Sequence, residues 1–317
     1  MTAVGGPEVL VSKQVPAPRP RAGEVLIRTE AIPVLFPETL LRSGAFPFPA
    51  PTPLIFGMQA AGVVVEIGAG VDAALIGQRV MVASNSFGTY AEQVCAPVES
   101  VTAIPDGLSP VEAAAVTMSA SVAIPLLETA ALTGTETVLI EVAATGVGGY
   151  LTQLAKEYGA ARVIATAGGP VKADRARELG ADEVIDHTDP DWPQGLPEIL
   201  GGTTIDVVFD ALGGDSARTL LDLMTPLRGR MLSYGWLSGA PAQVTAMDLI
   251  MRGLTLTGCS GPAWLAGVDR SRATALTRAA TGSITPLLDR VLPLDQAAAA
   301  HQLIADRVPV GTIVLQP

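Results

Sequence analysis

Two cysteines, two histidines and three lysines are all that this chain of 317 residues contains of those types. Cys95 and Cys259 stand far apart, as do His187 and His301, so no metal-ligand spacing can be drawn and no disulfide framework is implied. The lysines are Lys13, Lys156 and Lys172, and 31 acids against 20 Lys and Arg leave a formal charge of −11. Neutralising phosphates takes a clustered basic face, which this composition does not offer, so nucleic acid is not an expected partner. The N-terminus has no basic stretch leading into an apolar one and does not read as a secretory signal. Windows of about 18 residues are interrupted by charge or by Pro and Gly, so no membrane span is expected and the default location is the cytoplasm.

What is present is apolar residue: 49% hydrophobic against 16% charged, the composition of a packed chain rather than a disordered one. At roughly 150 residues per domain the length suggests about two domains. As far as about Pro105, short β-branched runs are cut by Pro and Gly: Val9 to Val11, Glu24 to Thr29, Ala61 to Ile67, Gln78 to Ala83 and Tyr90 to Ala96. That spacing predicts an all-β module. Ser109, Pro110 and Glu112 then supply an N-cap, a first-turn proline and a first-turn acid for an Ala-rich helix.

From Thr137 the pattern alternates. Thr137 to Val142, Arg162 to Ala167, Glu183 to Asp186, Asp206 to Asp210, Arg230 to Tyr234 and Leu254 to Cys259 read as buried strands, with helical spacings between them. This predicts an α/β fold with a doubly wound parallel sheet. The tail adds helices at Ser271 to Ala280 and Gln296 to Ala305 and a strand at Gly311 to Leu315.

The strongest local signal is strand, glycine-rich turn, helix: Val138 to Val142, then Ala143, Ala144, Thr145, Gly146, Val147, Gly148 and Gly149, then Tyr150 onward. Glycines at a strand-to-helix turn let a pyrophosphate meet backbone amides at a helix N-terminus. The plainer alternative is a purely structural turn. After the second strand of this region, Thr166, Ala167, Gly168 and Gly169 lead to Lys172, with no acid to accept a ribose 2′-hydroxyl. A lysine there favours a 2′-phosphate, hence NADPH; the plainer alternative is a solvated lysine near Asp174 and Glu178.

At these residues the chain resembles the medium-chain dehydrogenase/reductase superfamily, in its zinc-free quinone oxidoreductase (zeta-crystallin-like) and enoyl reductase branch, over nearly its whole length. The matching segments include Gly5 to Leu10, Pro20 to Ile27, Leu41 to Gly44, Ala61 to Val64, Gly77 to Val80, Gly88 to Glu92, Gln153 to Lys156 and Leu179 to Asp182. The resemblance implies a GroES-like β domain, residues 1–120 with 262–317, interrupted by a Rossmann domain at 121–261. It also implies a cofactor cleft between the two domains and a homodimer through Leu254 to Cys259. Lys172 matches the family's 2′-phosphate lysine. His187 takes the place of a tyrosine beside the adenosine phosphate, as a hydrogen-bond donor or an ordinary loop residue. Gly235 and Ser238 match the turn along the nicotinamide.

The departures from the family pattern point in one direction. In one register the family's three glycines fall on Val142, Thr145 and Gly148; a register shifted by one residue uses Ala143, Gly146 and Gly149. Polar positions of the family fall on Leu35, Leu40, Phe46, Met58 and Val122, which together with Trp236 would line an apolar substrate pocket. The polar groups left near the expected cleft are Glu38, Asn85, Ser119, Ser121, Tyr234 and Ser238. Glu38 sits among apolar neighbours that would raise its pKa toward acid/base use, or it is a surface or N-capping acid before Thr39.

The leading expectation is an NADPH-dependent reductase of a conjugated carbonyl in a small apolar substrate; Glu38 and Tyr234 are the candidate catalytic residues, as the acid/base of the non-redox alternative. A non-redox cyclase, isomerase or lyase in a degenerate cofactor cleft, and a dimeric binding protein, are the alternatives.

Overall fold

The computed structural model describes residues 1–46, 51–83, 87–189 and 191–317, so Asn85 lies outside the described residues. Two compact units emerge, Met1–Met118 with Ala273–Pro317, and Ser119–Arg272. Their junctions fall inside two helices, Pro110–Ala130 and Pro262–Ala280, because the second of these begins at Pro262 rather than at the Ser271 expected from its apolar spacing.

The first unit contains β1 (Glu24–Val34), α1 (Phe36–Ser43), β2 (Gln59–Ile67), β3 (Arg79–Ala83), β4 (Gln93–Pro97), β5 (Val101–Ala103) and the start of α2 (Pro110–Ala130). Val9 to Val11 do not form a strand: Pro7–Val9 make a single tight helical turn instead. Helix α1 has a proline in its first turn and stops at Gly44, whose φ of 80° is a left-handed cap. Helix α2 starts on a reciprocal cap, in which the Ser109 amide and hydroxyl donate to Glu112 and the Glu112 amide donates to the Ser109 hydroxyl.

The second unit runs β6 (Glu136–Ile140), α3 (Gly146–Leu154), β7 (Ala160–Ala167), α4 (Pro170–Glu178), β8 (Glu183–Asp186), α5 (Trp192–Leu200), β9 (Val207–Asp210), α6 (Gly214–Leu223), β10 (Arg230–Ser233), α7 (Ala246–Arg252), β11 (Thr255–Gly258) and most of α8 (Pro262–Ala280). The chain then returns to the first unit with β12 (Leu288–Pro293), α9 (Ala297–Ala305) and β13 (Thr312–Gln316).

In the first unit the strands order as β12-β13-β1-β2-β3-β5, with β4 also paired to β1. β-Branched residues of its strands, among them Val25, Ile27, Ile32, Val64, Val80, Val82 and Ile313, build one core. In the second unit all six strands are parallel in the order β11-β10-β9-β6-β7-β8. The chain builds outward from β6 to β8, then crosses back and continues from β9 to β11. The strand order therefore reverses between β6 and β9, and the carboxyl ends of those two strands are where open α/β sheets bind ligands.

Helix α2 is long and apolar enough to cross a membrane by length and composition, against the expectation from its Pro and acidic interruptions. With 67% of its most apolar stretch buried, including Ala113, Val116, Leu126 and Leu127, it is a core helix of this fold.

Candidate functional site

The turn between β6 and α3 is fixed by one close approach. A Cβ on Gly148 would lie 2.3 Å from the Val142 carbonyl oxygen and 2.7 Å from that of Glu141, so only glycine lets the helix start this near the strand. Val142 carries the matching reversal, with a φ of 54° in the left-handed region that a β-branched residue rarely occupies. The positions that do the geometric work are thus Val142 and Gly148, the unshifted register. In the shifted alternative Ala143 is buried core, although Gly146, at φ 51°, also sits where glycine is favoured.

Neighbouring side chains hold the reversal. The Thr166 hydroxyl accepts from the Val142 amide at 3.2 Å, and the Thr166 carbonyl accepts from the Ala143 amide at 2.9 Å. Thr152 donates to the Ala143 and Gly148 carbonyls. Thr145 takes the N-cap position with an extended backbone, and no side chain caps α3. The amides of Gly146, Val147 and Gly148 therefore face outward at the positive end of a helix, an arrangement that suits an anion.

The end of β7 differs from expectation in one respect. The His187 ring nitrogen Nδ1 lies 2.9 Å from the Thr166 hydroxyl, and a Cβ on Gly168 would lie 3.1 Å from its Nε2. His187 thus packs onto the turn after β7. An acid does reach this turn, from the next strand: Asp186 accepts from the Gly169 amide at 3.0 Å. Hydrogen bonds from Thr188 and Gly169 hold its carboxyl below the usual range. Lys172 lies in the first turn of α4, where Asp174 and Glu178 pair with Arg177 and Arg175.

Across the reversal point, the turns after β9 and β10 are laced together. The amides of Leu237 and Ser238 donate to the carbonyls of Ala211 and Leu212, each at 3.0 Å. A Cβ on Gly235 would lie 2.7 Å from the Ala211 carbonyl oxygen, and one on Gly214 would lie 2.9 Å from the Ser238 hydroxyl. Gly235 is therefore needed for turn-to-turn packing whatever it flanks. Tyr234 follows β10; its hydroxyl oxygen is buried and has no hydrogen-bond partner among the described residues. Burial and the nearby Glu141 and Asp210 keep that hydroxyl protonated, well above its ordinary pKa. Val122 and Trp236 are half-buried.

Sequence reasoning missed Glu141. It is fully buried just past β6, and its Oε2 accepts the amides of Ala211 at 2.9 Å and Leu212 at 2.8 Å. Lodged at the end of an apolar strand, it carries no local signal beyond being a carboxylate where a side chain should be apolar.

In the first unit the structure corrects the reading of Glu38. This residue is fully buried, with Oε2 accepting from the Leu35 amide and the Tyr90 hydroxyl, both at 2.9 Å, and Oε1 accepting from the Met58 amide at 2.8 Å. Burial lifts its pKa to about 7 even against these three donors. A general acid or base must reach its substrate, and this carboxyl faces only protein. The capping alternative is nearer the truth, since Glu38 closes the first turn of α1 onto the Leu35 amide.

Behind it runs a buried chain that the sequence did not reveal. Arg42 donates through Nε to His301 Nδ1 at 3.3 Å and also to the Gly5 carbonyl. With Nδ1 accepting, His301 Nε2 carries the hydrogen and donates to the Tyr90 oxygen at 3.0 Å; Tyr90 in turn donates to Glu38. Burial and Arg42 push His301 down to about 3, so the ring stays neutral. Phe46 and Met58 pack around Met1, Leu41 and Phe56 in the same cluster, Leu40 is half-buried with its carbonyl accepting the Phe46 amide, and Leu35 is buried.

The raised pKa of Glu38 has a definite sign in folding. An acid whose pKa rises on folding stabilises the fold below its unfolded value, and that contribution is lost as pH rises through the folded value. Set against Glu38→Gln, wild type should therefore lose thermal stability from about pH 4.5 to about pH 7, while His301, held neutral by burial, adds an opposite slope to both proteins below about pH 6.5. Equal slopes for the two proteins in thermal melts across this range would contradict the assignment.

Comparison with known proteins agrees with both units. The family described as "Alcohol dehydrogenase GroES-like domain" matches residues 21–106, and "Zinc-binding dehydrogenase" matches residues 146–277. Among the described residues no cluster of three or more His, Cys, Asp or Glu could hold a metal ion. A quinone oxidoreductase of Pseudomonas aeruginosa is 34% identical over 99% of this chain and 98% of its own length. A 2-haloacrylate reductase of a Burkholderia species is 32% identical over 99% and 96%. The crystal structure of Escherichia coli quinone oxidoreductase complexed with NADPH superposes with a TM-score of 0.90 at 31% identity, covering 100% of this chain and 98% of that one. By its two domain matches, its near full-length relatives and its fold, the chain belongs to the medium-chain dehydrogenase/reductase superfamily, with quinone oxidoreductases among its homologues.

Proposed function

We propose that this protein is an NADPH-dependent reductase acting on the conjugated carbonyl of a small apolar molecule, a quinone or an enone. The observation that carries the reading is the uncapped N-terminus of α3 beside the strand-order reversal, brought close by Gly148. A dinucleotide fits those residues: the amides of Gly146 to Gly148 would hold a pyrophosphate, with Thr145 and Gly149 flanking them. Thr166 and His187 would border the adenosine side, and Lys172 would meet the 2′-phosphate. The names of the relatives, a quinone oxidoreductase bound to NADPH and a 2-haloacrylate reductase, support the same class of chemistry.

When bound, NADPH would supply the hydride that reduction of a conjugated carbonyl requires. The chain's own part is to orient the bound molecules. Gly235 and Ser238 stand on the turn proposed to lie along the nicotinamide. Tyr234 keeps its proton, but its hydroxyl is as fully buried as the Glu38 carboxyl, so the proton for the reduced product would come from water admitted beside the turn. Val122 and Trp236 offer apolar surface in the same unit, and Leu40, Phe46 and Met58 offer it in the first.

Purified protein should consume NADPH in the presence of simple quinones or enones. Lys172→Ala should raise the KM for NADPH by about tenfold, the scale of one charge-assisted contact, and leave that for NADH nearly unchanged. An equal effect on both cofactors would remove Lys172 from the 2′-phosphate site. NADPH binding without any turnover would favour the non-redox alternative.

We infer in addition that the protein is a homodimer through β11. This strand is the edge of the parallel sheet, and the preceding α7 exposes Met247, Ile250 and Met251 at 61–74%. Thr255 and Cys259 donate inward to the Gly229 and Ser233 carbonyls, so by alternation Leu256 and Gly258 present their amides outward. Gly258 has open space where a side chain would go. Gly258→Pro should leave the fold intact and yield a monomer by light scattering; a monomeric wild type, or a dimeric variant, would contradict this interface.

A further inference from the structure

Glu141 and Asp210 are adjacent acids at the carboxyl ends of neighbouring strands. The pairing of Ile140 with Phe209 sets the two side by side across the point where the strand order reverses. Both are fully buried. Asp210 accepts from the Gly213 amide and from the Ser233 hydroxyl, each at 2.7 Å. Glu141 accepts two amides on Oε2, but among the described residues no hydrogen-bond donor reaches its Oε1, and Asp210 stands beside it at the end of the neighbouring strand. Two acceptors facing one another in a dry site are satisfied by a proton between them.

We propose that Glu141 is a positioning residue of the nucleotide site: a neutral carboxyl that accepts the Ala211 and Leu212 amides, donates to Asp210, and so clasps the end of β6 to the end of β9. The clasp reaches further through bonds already described. Ala211 and Leu212 receive the Leu237 and Ser238 amides, so fixing the first turn fixes the second. Glu141 is also the residue whose carbonyl presses on Gly148. Glu141 therefore meets the α3 turn through its backbone carbonyl and the two turns proposed to flank the nicotinamide through its side chain. As a consequence for binding, this rests on the NADPH reading; as a statement about the fold, it does not.

The titratable groups facing Glu141 are Asp210 from the end of β9 and Tyr234 from the segment after β10. The adjoining elements bring two further titratable side chains, Tyr150, buried in α3, and His187, bonded to Thr166 at the end of β7. Burial first, and then Asp210, push Glu141 well above the carboxylate range. The sign follows: the neutral clasp is intact at low pH and is lost as pH rises through the folded pKa, because deprotonation sets two carboxylates against each other. Glutamine mimics the protonated acid, with an oxygen to accept the two amides and an NH₂ to donate to Asp210.

The test compares wild type, Glu141→Gln and Glu141→Ala from about pH 6 to about pH 10, a span that covers a strongly raised carboxyl. Thermal midpoints without cofactor and NADPH dissociation constants are measured in parallel. Wild type should lose midpoint and about tenfold in NADPH affinity toward alkaline pH relative to Glu141→Gln, which should stay flat. Glu141→Ala should be weakened throughout, since it leaves both amides and Asp210 unpaired. Midpoints of wild type and Glu141→Gln that run parallel over the whole range would overturn the clasp. If the midpoints diverge as stated but no variant binds NADPH, the clasp stands and the NADPH reading fails.

Discussion

The arrangement of the nucleotide-binding unit depends on a side chain that is not there. At Gly148 the backbone of α3 comes so near the Val142 and Glu141 carbonyls that a methyl group would overlap them. This contact forces the chain to reverse sharply after β6, and the reversal turns the first amides of α3 outward where strand order changes. Val142 bears the cost, about 1–2 kcal/mol for a left-handed non-glycine residue. Thr166 and Thr152 offset it with hydrogen bonds to the turn from β7 and from within α3. Losing a glycine at the first turn position has therefore not lost the turn, because the closer constraint lies six residues on.

The two units each bury a glutamate, and the contrast between them separates structure from site. Glu38 meets three donors and ends a chain of hydrogen bonds through Tyr90 and His301 to Arg42. Everything about it is satisfied, and it faces protein on every side. Glu141 meets two donors and another acid, beside a tyrosine hydroxyl that has no partner among the described residues. Incompletely satisfied polar groups are rare in a core and costly, and these two lie at the strand ends where this class of sheet binds ligands.

Much of this was legible in the sequence. The four inner strands of the parallel sheet, β6, β7, β9 and β10, were visible as apolar runs because strands covered on both faces must be apolar, while the edge strands β8 and β11 hold no buried residue and were legible from the alternation with helical spacings. Strands β5 and β12 were not, since Val101–Ala103 is too short and Leu288–Pro293 is largely exposed and mixes Asp and Arg with its apolar residues. Gly148 was legible as part of a glycine turn, but which register mattered needed the carbonyl distances. Glu38 was recognisable as a desolvated acid; that three donors enclose it was not, because they come from Leu35, Met58 and Tyr90. His301 lies 211 residues from the tyrosine it bonds, and no spacing rule spans that separation. Asp186 escaped because the acid at the end of β7 is supplied by β8.

The central claim is that the turn from Val142 to Gly149 still holds a dinucleotide although valine and threonine stand at two family glycine positions. The most direct measurement is a titration of the purified wild-type protein with NADPH, followed by nicotinamide fluorescence. The account predicts saturable binding in the range of about 1 to 100 μM, in keeping with ordinary cofactor and substrate concentrations. Absence of binding up to about 1 mM, the upper end of that ordinary range, would contradict it.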